Sequence, residues 1–243
     1  MMGESRTGTG GASRTGMVIP DIVVSRLPLY LRALQSLEQQ GVSVVKSHEL
    51  AALVQATPAQ IRKDLSYFGK FGKQGMGYNI STLLVEITAI LGLDRTWSMA
   101  VVGLGRVGRA LVDYAGFAHQ GFHVVAAFDQ SPKVVGKKVG HLVIQDIAQL
   151  EESVKERPID IGVVAVPASE TQRVIDRLVR CGIRGILNYA PTTPQAPPGV
   201  QIRTVDPVPS IQSMTFYLKD GSMLSGTARR RGRPKGSVTA SRG

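Results

Sequence analysis

Between Ser98 and Asp129 the chain reads SMAVVGLGRVGRALVDYAGFAHQGFHVVAAFD, and few folds accommodate that order of residues. A short apolar run over 99–102 stops at Gly103-Leu104-Gly105-Arg106-Val107-Gly108, and an amphipathic segment carrying Ala110, Leu111 and Tyr114 follows at once. The pattern predicts strand, glycine turn and helix. Gly103 permits the tight turn, Gly105 lets backbone approach a pyrophosphate, Gly108 lets the helix pack close on the strand, and the helix N-terminus offers N–H groups to the anion. A second predicted strand over 123–128 ends in Asp129, an acid about 20 residues on that can hold the hydroxyls of an adenosine ribose. The stretch therefore predicts a dinucleotide site, against the alternative of a glycine turn that serves packing alone.

Beyond Asp129, Ser131-Pro132-Lys133 and Gly136-Lys137-Lys138 form a basic turn. Its lysines would suit a 2′-phosphate, but Asp129 repels one at closer range, which favours NADH and NAD over their phosphorylated forms. The alternation continues with strand 142–144, helix 147–154, strand 160–166, helix 170–181 and strands 185–188 and 200–205. This is an α/β pattern, a doubly wound parallel sheet of the Rossmann type over residues 98–206. The near-continuous apolar run 163–166 suits a central strand covered on both faces. Past the sheet, a helix over 210–219 with Ile211, Met214, Phe216, Tyr217 and Leu218 exceeds what one such sheet needs. It can pack on its own domain or dock into a partner subunit.

Upstream, residues 1–17 lack hydrophobic periodicity and read as a disordered tail. A long helix opens at Ile19-Pro20-Asp21, with Val24, Leu27, Leu31, Leu34 and Leu37 recurring at three and four and Gly41 as its stop. Pro28 inside that pattern should kink the helix or move its start. Ser47 can cap a second helix over 49–55. Thr57 with Gln60 makes a capping box and Pro58 takes the first helical position, so a third helix begins there. Its Ile61, Leu65 and Phe68 share one side, while Arg62, Lys63 and Ser66 point away. With the glycine-spaced stretch 69–77 and its Lys70 and Lys73, this is the layout of a winged helix-turn-helix over residues 18–92. The third helix would enter the major groove of DNA and the wing lysines would meet phosphates or the minor groove. Ser81 caps a fourth helix over 82–91, apolar almost all round and expected to be buried at a domain junction.

The formal net charge of +11 sharpens this once it is located. Residues 229–243 carry six positive charges and no acid, and residues 1–17 a net +1, leaving +4 for the remainder. Charge concentrated at one end favours a polyanion such as nucleic acid. No apolar run approaches a transmembrane span, the N-terminus lacks the apolar region of a signal peptide, and one cysteine, Cys181, cannot form an internal disulfide. The expected compartment is the reducing cytoplasm, without membrane association. An NAD-dependent dehydrogenase would need an acid or base near the nicotinamide and a domain closing over the substrate. His48, His119, His123 and His141 are scattered, so neither catalytic residues nor a metal site is expected. A CoA-binding module of the kind found in acyl-CoA ligases shares the βαβ start but would not carry the winged helix.

Residues 60–69, Gln60-Ile61-Arg62-Lys63-Asp64-Leu65-Ser66-Tyr67-Phe68-Gly69, and the wing end Gly75-Met76-Gly77-Tyr78 resemble the Rex family of redox-sensing transcriptional repressors. The resemblance spans residues 19–220, through Ser25-Arg26-Leu27-Pro28, the glycine turn, residues 164–168 and 185–191, and Val205-Asp206. It implies a homodimer on palindromic, A·T-containing operator DNA, with a C-terminal helix in the segment 207–221 exchanged between subunits and NADH releasing the dimer. By the resemblance, Tyr114 lies beside the nicotinamide, and Lys133, Val166 and Pro167 join the glycine turn in the cofactor site. Tyr67 joins the DNA face, and Arg32 pairs with Asp206 in a contact sensitive to redox state. The chain departs from the family pattern at Pro207, at Tyr189 where Phe is usual, and in its basic tail over 222–243. In that tail Arg229-Arg230-Arg231-Gly232-Arg233-Pro234-Lys235 resembles an AT-hook, with Arg231 and Arg233 reaching into a narrow A·T-rich minor groove. The alternative is a basic tail that raises affinity for any DNA.

Overall fold

A computed structural model describes residues 19–72 and 76–219. The chain divides into two compact units, residues 1–96 with 119–121 and residues 97–118 with 122–243.

In the first unit, helix α1 spans Asp21–Gln39 and turns Val23, Leu27, Tyr30, Leu31 and Leu34 inward. Val24, expected inside, is exposed. At 3.6 residues per turn it is Val23, four before Leu27, that shares the stripe. The helix runs through Pro28, which sits on its exposed side and neither ends it nor delays its start. Helix α2, Ser47–Leu53, begins two residues earlier than predicted, and Ser47 lies within it. Its first turn is closed by the Lys46 backbone N–H donating to the Glu49 carboxylate at 2.6 Å. Helix α3, Pro58–Ser66, starts where Thr57 and Pro58 predict, with Thr57 Oγ1 accepting from the Gln60 N–H at 3.1 Å. Helix α4, Ile80–Ile90, is capped by Asn79 rather than Ser81: Asn79 Oδ1 accepts from the Thr82 N–H at 2.9 Å and from the Ser81 hydroxyl at 2.8 Å. Nor is α4 buried all round, since Ile80, Leu83, Leu84 and Ile87 face the core while Val85 and Glu86 are exposed. Short strands β1, Val44–Val45, and β2, Tyr78–Asn79, pair antiparallel at the base of the wing. Apolar faces of all four helices meet in one core.

Among the described residues, one charged group lies in that core. Asp64 on α3 is fully buried, and its two oxygens accept four hydrogen bonds. Arg26 of α1 donates Nε to Oδ2 at 2.6 Å and Nη2 to Oδ1 at 2.8 Å, the Tyr30 hydroxyl donates to Oδ2 at 2.5 Å, and the Gln60 amide donates to Oδ1 at 2.6 Å. Of the predicted capping box the Thr57 half is formed, while the Gln60 amide nitrogen turns along the helix to the buried carboxylate.

The second unit is a seven-stranded sheet in the order β5-β6-β4-β3-β7-β8-β9. Its strands are β3 (Trp97–Val102), β4 (Phe122–Asp129), β5 (Lys138–Val139), β6 (Leu142–Asp146), β7 (Ile161–Val164), β8 (Gly185–Asn188) and β9 (Gln201–Thr204). All neighbours are parallel except β5 on β6, a two-residue edge that begins at the last residue of the predicted basic turn. Order reverses between β3 and β7, as in a doubly wound sheet. Side chains alternate between its faces, with Ala100, Val102, Phe128 and Val164 in one core cluster and Met99, Val101, Ala127 and Val163 in the other. Helices α5 (Arg106–Val112), α6 (Ala115–Ala118), α7 (Leu150–Glu156, after a 3₁₀ turn over Ile147–Gln149), α8 (Ala168–Arg180) and α9 (Val208–Lys219) complete the unit. Among the described residues, every residue of α9 is exposed.

Burial opposes ionisation of Asp64, but hydrogen bonds from Arg26, Tyr30 and Gln60 outweigh it and hold the carboxyl below the usual carboxylate range. A carboxyl lowered in the folded state contributes stability that is present above its unfolded pKa and lost as pH falls through the folded value. The parent protein should therefore melt well above Asp64→Asn at pH 7, with the gap closing as the buffer is acidified below pH 4. A gap that stays constant to pH 3 would show that the ionised form contributes nothing.

Candidate functional site

At the carboxyl ends of β3, β4 and β7 lies a cleft of about 230 Å³, lined among others by Gly103, Gly105, Asp129, Val166, Pro167 and Glu170. The turn between β3 and α5 is forced by contact. Gly103 has φ +94°, and a Cβ there would stand 2.6 Å from the Ala165 carbonyl oxygen; a Cβ on Gly108 would stand 1.9 Å from the Gly103 carbonyl oxygen. Gly105 differs: its φ of −69° suits any residue, and a Cβ there would meet nothing within 4 Å. Asp129 is half-buried at the end of β4 and accepts from the Leu104 N–H at 2.7 Å and the Ser131 N–H at 2.8 Å. Those bonds fix both carboxylate oxygens against the glycine turn and leave lone pairs for a ribose.

The remaining predicted cofactor residues fall into three groups. Val166 and Pro167 line the cleft, as predicted. The Leu104 side chain is buried in the core, so only its backbone belongs to the turn, while Arg106 and Val107 are exposed on the first turn of α5. Lys133 is exposed on the turn after β4 and does not line the cleft. Helix α5 ends at Val112, so Tyr114 stands beyond it rather than on it, exposed and edge-on to Phe117 with ring centroids 5.0 Å apart. Burial, together with the nearby Tyr114, pushes the Tyr189 phenol up, so both rings belong to one neighbourhood. Asn188 shapes that loop, donating to the Ala190 carbonyl at 2.9 Å and accepting from the Ala190 N–H at 3.0 Å.

Sequence reasoning missed two cleft residues with a visible role, Glu170 and Gln130. Glu170 on α8 accepts from Arg173 at 2.6 Å, and the same guanidinium nitrogen donates to Gln130 at 2.6 Å, tying α8 to the end of β4 beside the cleft. No local pattern signals a bond between residues 43 positions apart.

In the first unit, α3 exposes Arg62, Lys63 and Ser66 and buries Ile61 and Leu65, as its periodicity predicts. Arg62 Nη1 donates to Ser47 Oγ at 3.0 Å. Burial raises the Tyr78 phenol while the Arg62 charge lowers it, so Arg62 lies close to both α2 and β2. The Ser66 hydroxyl donates to the Lys63 carbonyl at 2.7 Å, Tyr67 is half-buried at the end of α3, and Lys70 is exposed after it. Arg32 is exposed on α1, and Asp206 accepts from the Val208 N–H at 2.9 Å at the start of α9. Lys73, Arg231 and Arg233 lie outside the described residues.

Among the described residues no group of three or more His, Cys, Asp or Glu side chains could hold a metal ion, and no helix is long and apolar enough to cross a membrane. Cys181 closes α8, where burial pushes its thiol up and away from the reactive thiolate.

Residues 18–66 match the family described as "Putative DNA-binding protein N-terminus", and residues 94–192 match "CoA binding domain". The chain is 50% identical over 199 residues, 82% of its length and 94% of the relative's, to the redox-sensing transcriptional repressor Rex of Chloroflexus aurantiacus. It is 41% identical over 229 residues, 90% of its length and 89% of the relative's, to that of Streptomyces coelicolor. Among solved structures it is similar to RSP, a Rex-family repressor. The complex of RSP with β-NAD+ and operator DNA gives a TM-score of 0.79 at 35% identity, covering 84% of this chain and 94% of that one. The complex with β-NADH gives 0.77 at 33% identity, covering 84% and 96%. Relatives this similar, spanning more than four fifths of the sequence, are named as repressors rather than enzymes, and the chain belongs to the Rex family of redox-sensing transcriptional repressors.

Proposed function

We propose that this chain represses transcription as a cytoplasmic homodimer on a palindromic operator, and that NADH in the cleft of the second unit releases it, so that repression follows the NADH to NAD+ ratio. The observation that carries the reading is Gly105. Gly103 and Gly108 are explained by the chain's own backbone, but at residue 105 no protein atom stands in the way of a side chain. The position is open and its φ is ordinary, so packing does not account for a glycine there, whereas a pyrophosphate drawn up to the backbone of the turn does. Asp129 beside it suits free ribose hydroxyls and opposes the ribose phosphate of CoA or of NADP(H). Lys133, exposed on the turn after β4, is a further contact to the cofactor.

Arg62 and Lys63 read the major groove, with Tyr67, Lys70 and Lys73 as flanking contacts. The apolar side chains of α9 find no cover among the described residues, which supports its exchange with a second copy. Tyr114 stands at the nicotinamide end. Arg32 and Asp206 report the change of state. The segment 229–235 adds an AT-hook, in which Arg231 and Arg233 enter the minor groove of A·T-rich operator flanks.

Three outcomes follow. Gly105→Ala should melt within a few degrees of the parent yet bind NADH about tenfold more weakly or worse, whereas Gly108→Ala should lose stability; a Gly105→Ala protein with parental NADH affinity would remove the observation on which the reading rests. If NADH lowers operator affinity, saturating operator must raise the NADH dissociation constant by the same factor, and calorimetry showing an unchanged constant would exclude the coupling. For the tail, Arg233→Lys keeps the charge but loses the planar guanidinium. It should weaken binding to operators with A·T-rich flanks and spare those with G·C-rich flanks, while equal loss on both reduces the tail to a nonspecific anchor.

A further inference from the structure

Asp64 presents a physical problem that the proposed function does not use. It occupies the centre of the buried face of α3, flanked by Ile61 and Leu65, where a leucine would pack. Replacing a buried ion pair by apolar residues of similar volume is often neutral or stabilising, so stability alone does not account for a carboxylate there. All four acceptor positions of the carboxylate are filled by Arg26, Tyr30 and Gln60, which leaves none for solvent or DNA.

What this arrangement supplies is direction. Helix α3 has nine residues, about two and a half turns, held otherwise by apolar contacts that tolerate rolling and sliding and by one exposed bond from the long, flexible Arg62 side chain to Ser47. The Arg26 fork admits neither, because a planar guanidinium meets a carboxylate through two parallel bonds in one orientation. Both donors from α1, Arg26 and Tyr30, lie four residues apart and converge on the same oxygen, Oδ2. At about 100° per residue, Asp64 pointing inward places Arg62 about 160° away around the helix and Lys63 about 100° away.

We infer that Asp64 is a positioning residue for DNA recognition: the Arg26–Asp64–Tyr30 lock sets the rotational phase of α3 on α1 and so aims Arg62 and Lys63 at the groove. This rests on α3 being the DNA reader. Charge alone predicts the opposite sign, since removing an acid from a DNA-facing helix raises affinity for any duplex.

The test uses the full-length protein, the tightest duplex it selects from a random-sequence pool, and a scrambled duplex of the same length and composition. The variant Arg26→Met/Tyr30→Phe/Asp64→Leu leaves net charge unchanged and replaces the lock with apolar groups. It should melt at or above the parental temperature, bind NADH as the parent does, and keep its affinity for the scrambled duplex. Its affinity for the selected duplex should fall about tenfold, the scale of one lost base contact. A stably folded variant with the parental ratio of selected to scrambled binding overturns the proposal. Should the triple variant fail to fold, Arg26→Lys decides: it keeps the charge, loses the fork and should lower the same ratio several-fold, and an unchanged ratio overturns the lock. Failure of the underlying reading shows separately, as an Arg62→Ala protein that binds the selected duplex with parental affinity.

Discussion

The reversal of strand order between β3 and β7 is the constraint on which the second unit depends. Chain leaving β3 crosses to β4 on one side, while chain leaving β7 crosses to β8 on the other. Right-handed crossovers running in opposite directions must part above the carboxyl ends, and the crevice that remains is not filled by the sheet. The residues that line it are therefore fixed by topology: the glycine turn because it follows β3, Asp129 because it ends β4, Val166 and Pro167 because they follow β7. The bond from the Leu104 N–H to Asp129 then joins two of these ends. A site assembled this way is as rigid as the central strands beneath it, where Val101, Val163 and Val164 are fully buried.

The first unit solves a different problem with less material. Its helices α2 and α3 have seven and nine residues, lengths at which an isolated helix is unstable in water. Each is closed at its start by a side chain, Glu49 for α2 and Thr57 for α3, and each turns apolar residues into a shared core. Capping and burial hold the helices in place, and the buried carboxylate of Asp64 adds orientation to that attachment.

Much of this was legible before any coordinates, for reasons that are themselves local. The parallel strands of the sheet announce themselves as apolar runs between glycines and prolines, and α3 as Thr57-Pro58 followed by a two-sided helix. What escaped depends on long-range geometry or on very short elements. The two-residue strands β1, β2 and β5 are below the length at which periodicity can be read. On α1, Val23 and Val24 are both apolar and stand four and three residues before Leu27, so spacing from that leucine does not separate them; the full set of buried positions does. Tyr114 was carried onto α5 since nothing in Val112-Asp113-Tyr114 marks the helix end. Asp64 directly follows Arg62 and Lys63 on a helix read as DNA-facing, and nothing local marks it as buried. Its donors Arg26 and Tyr30 lie 38 and 34 residues away.

The three glycines of the turn also differ in what would happen to them over generations. Residues 103 and 108 are bound to each other, because a side chain at 108 must displace the backbone of 103, whose own conformation already demands glycine. Neither can drift alone, whatever becomes of the ligand. Residue 105 carries no such debt to the fold. A descendant that gave up its nucleotide would keep the outer pair and fill the middle position, so the outer glycines record ancestry and the middle one records continued use.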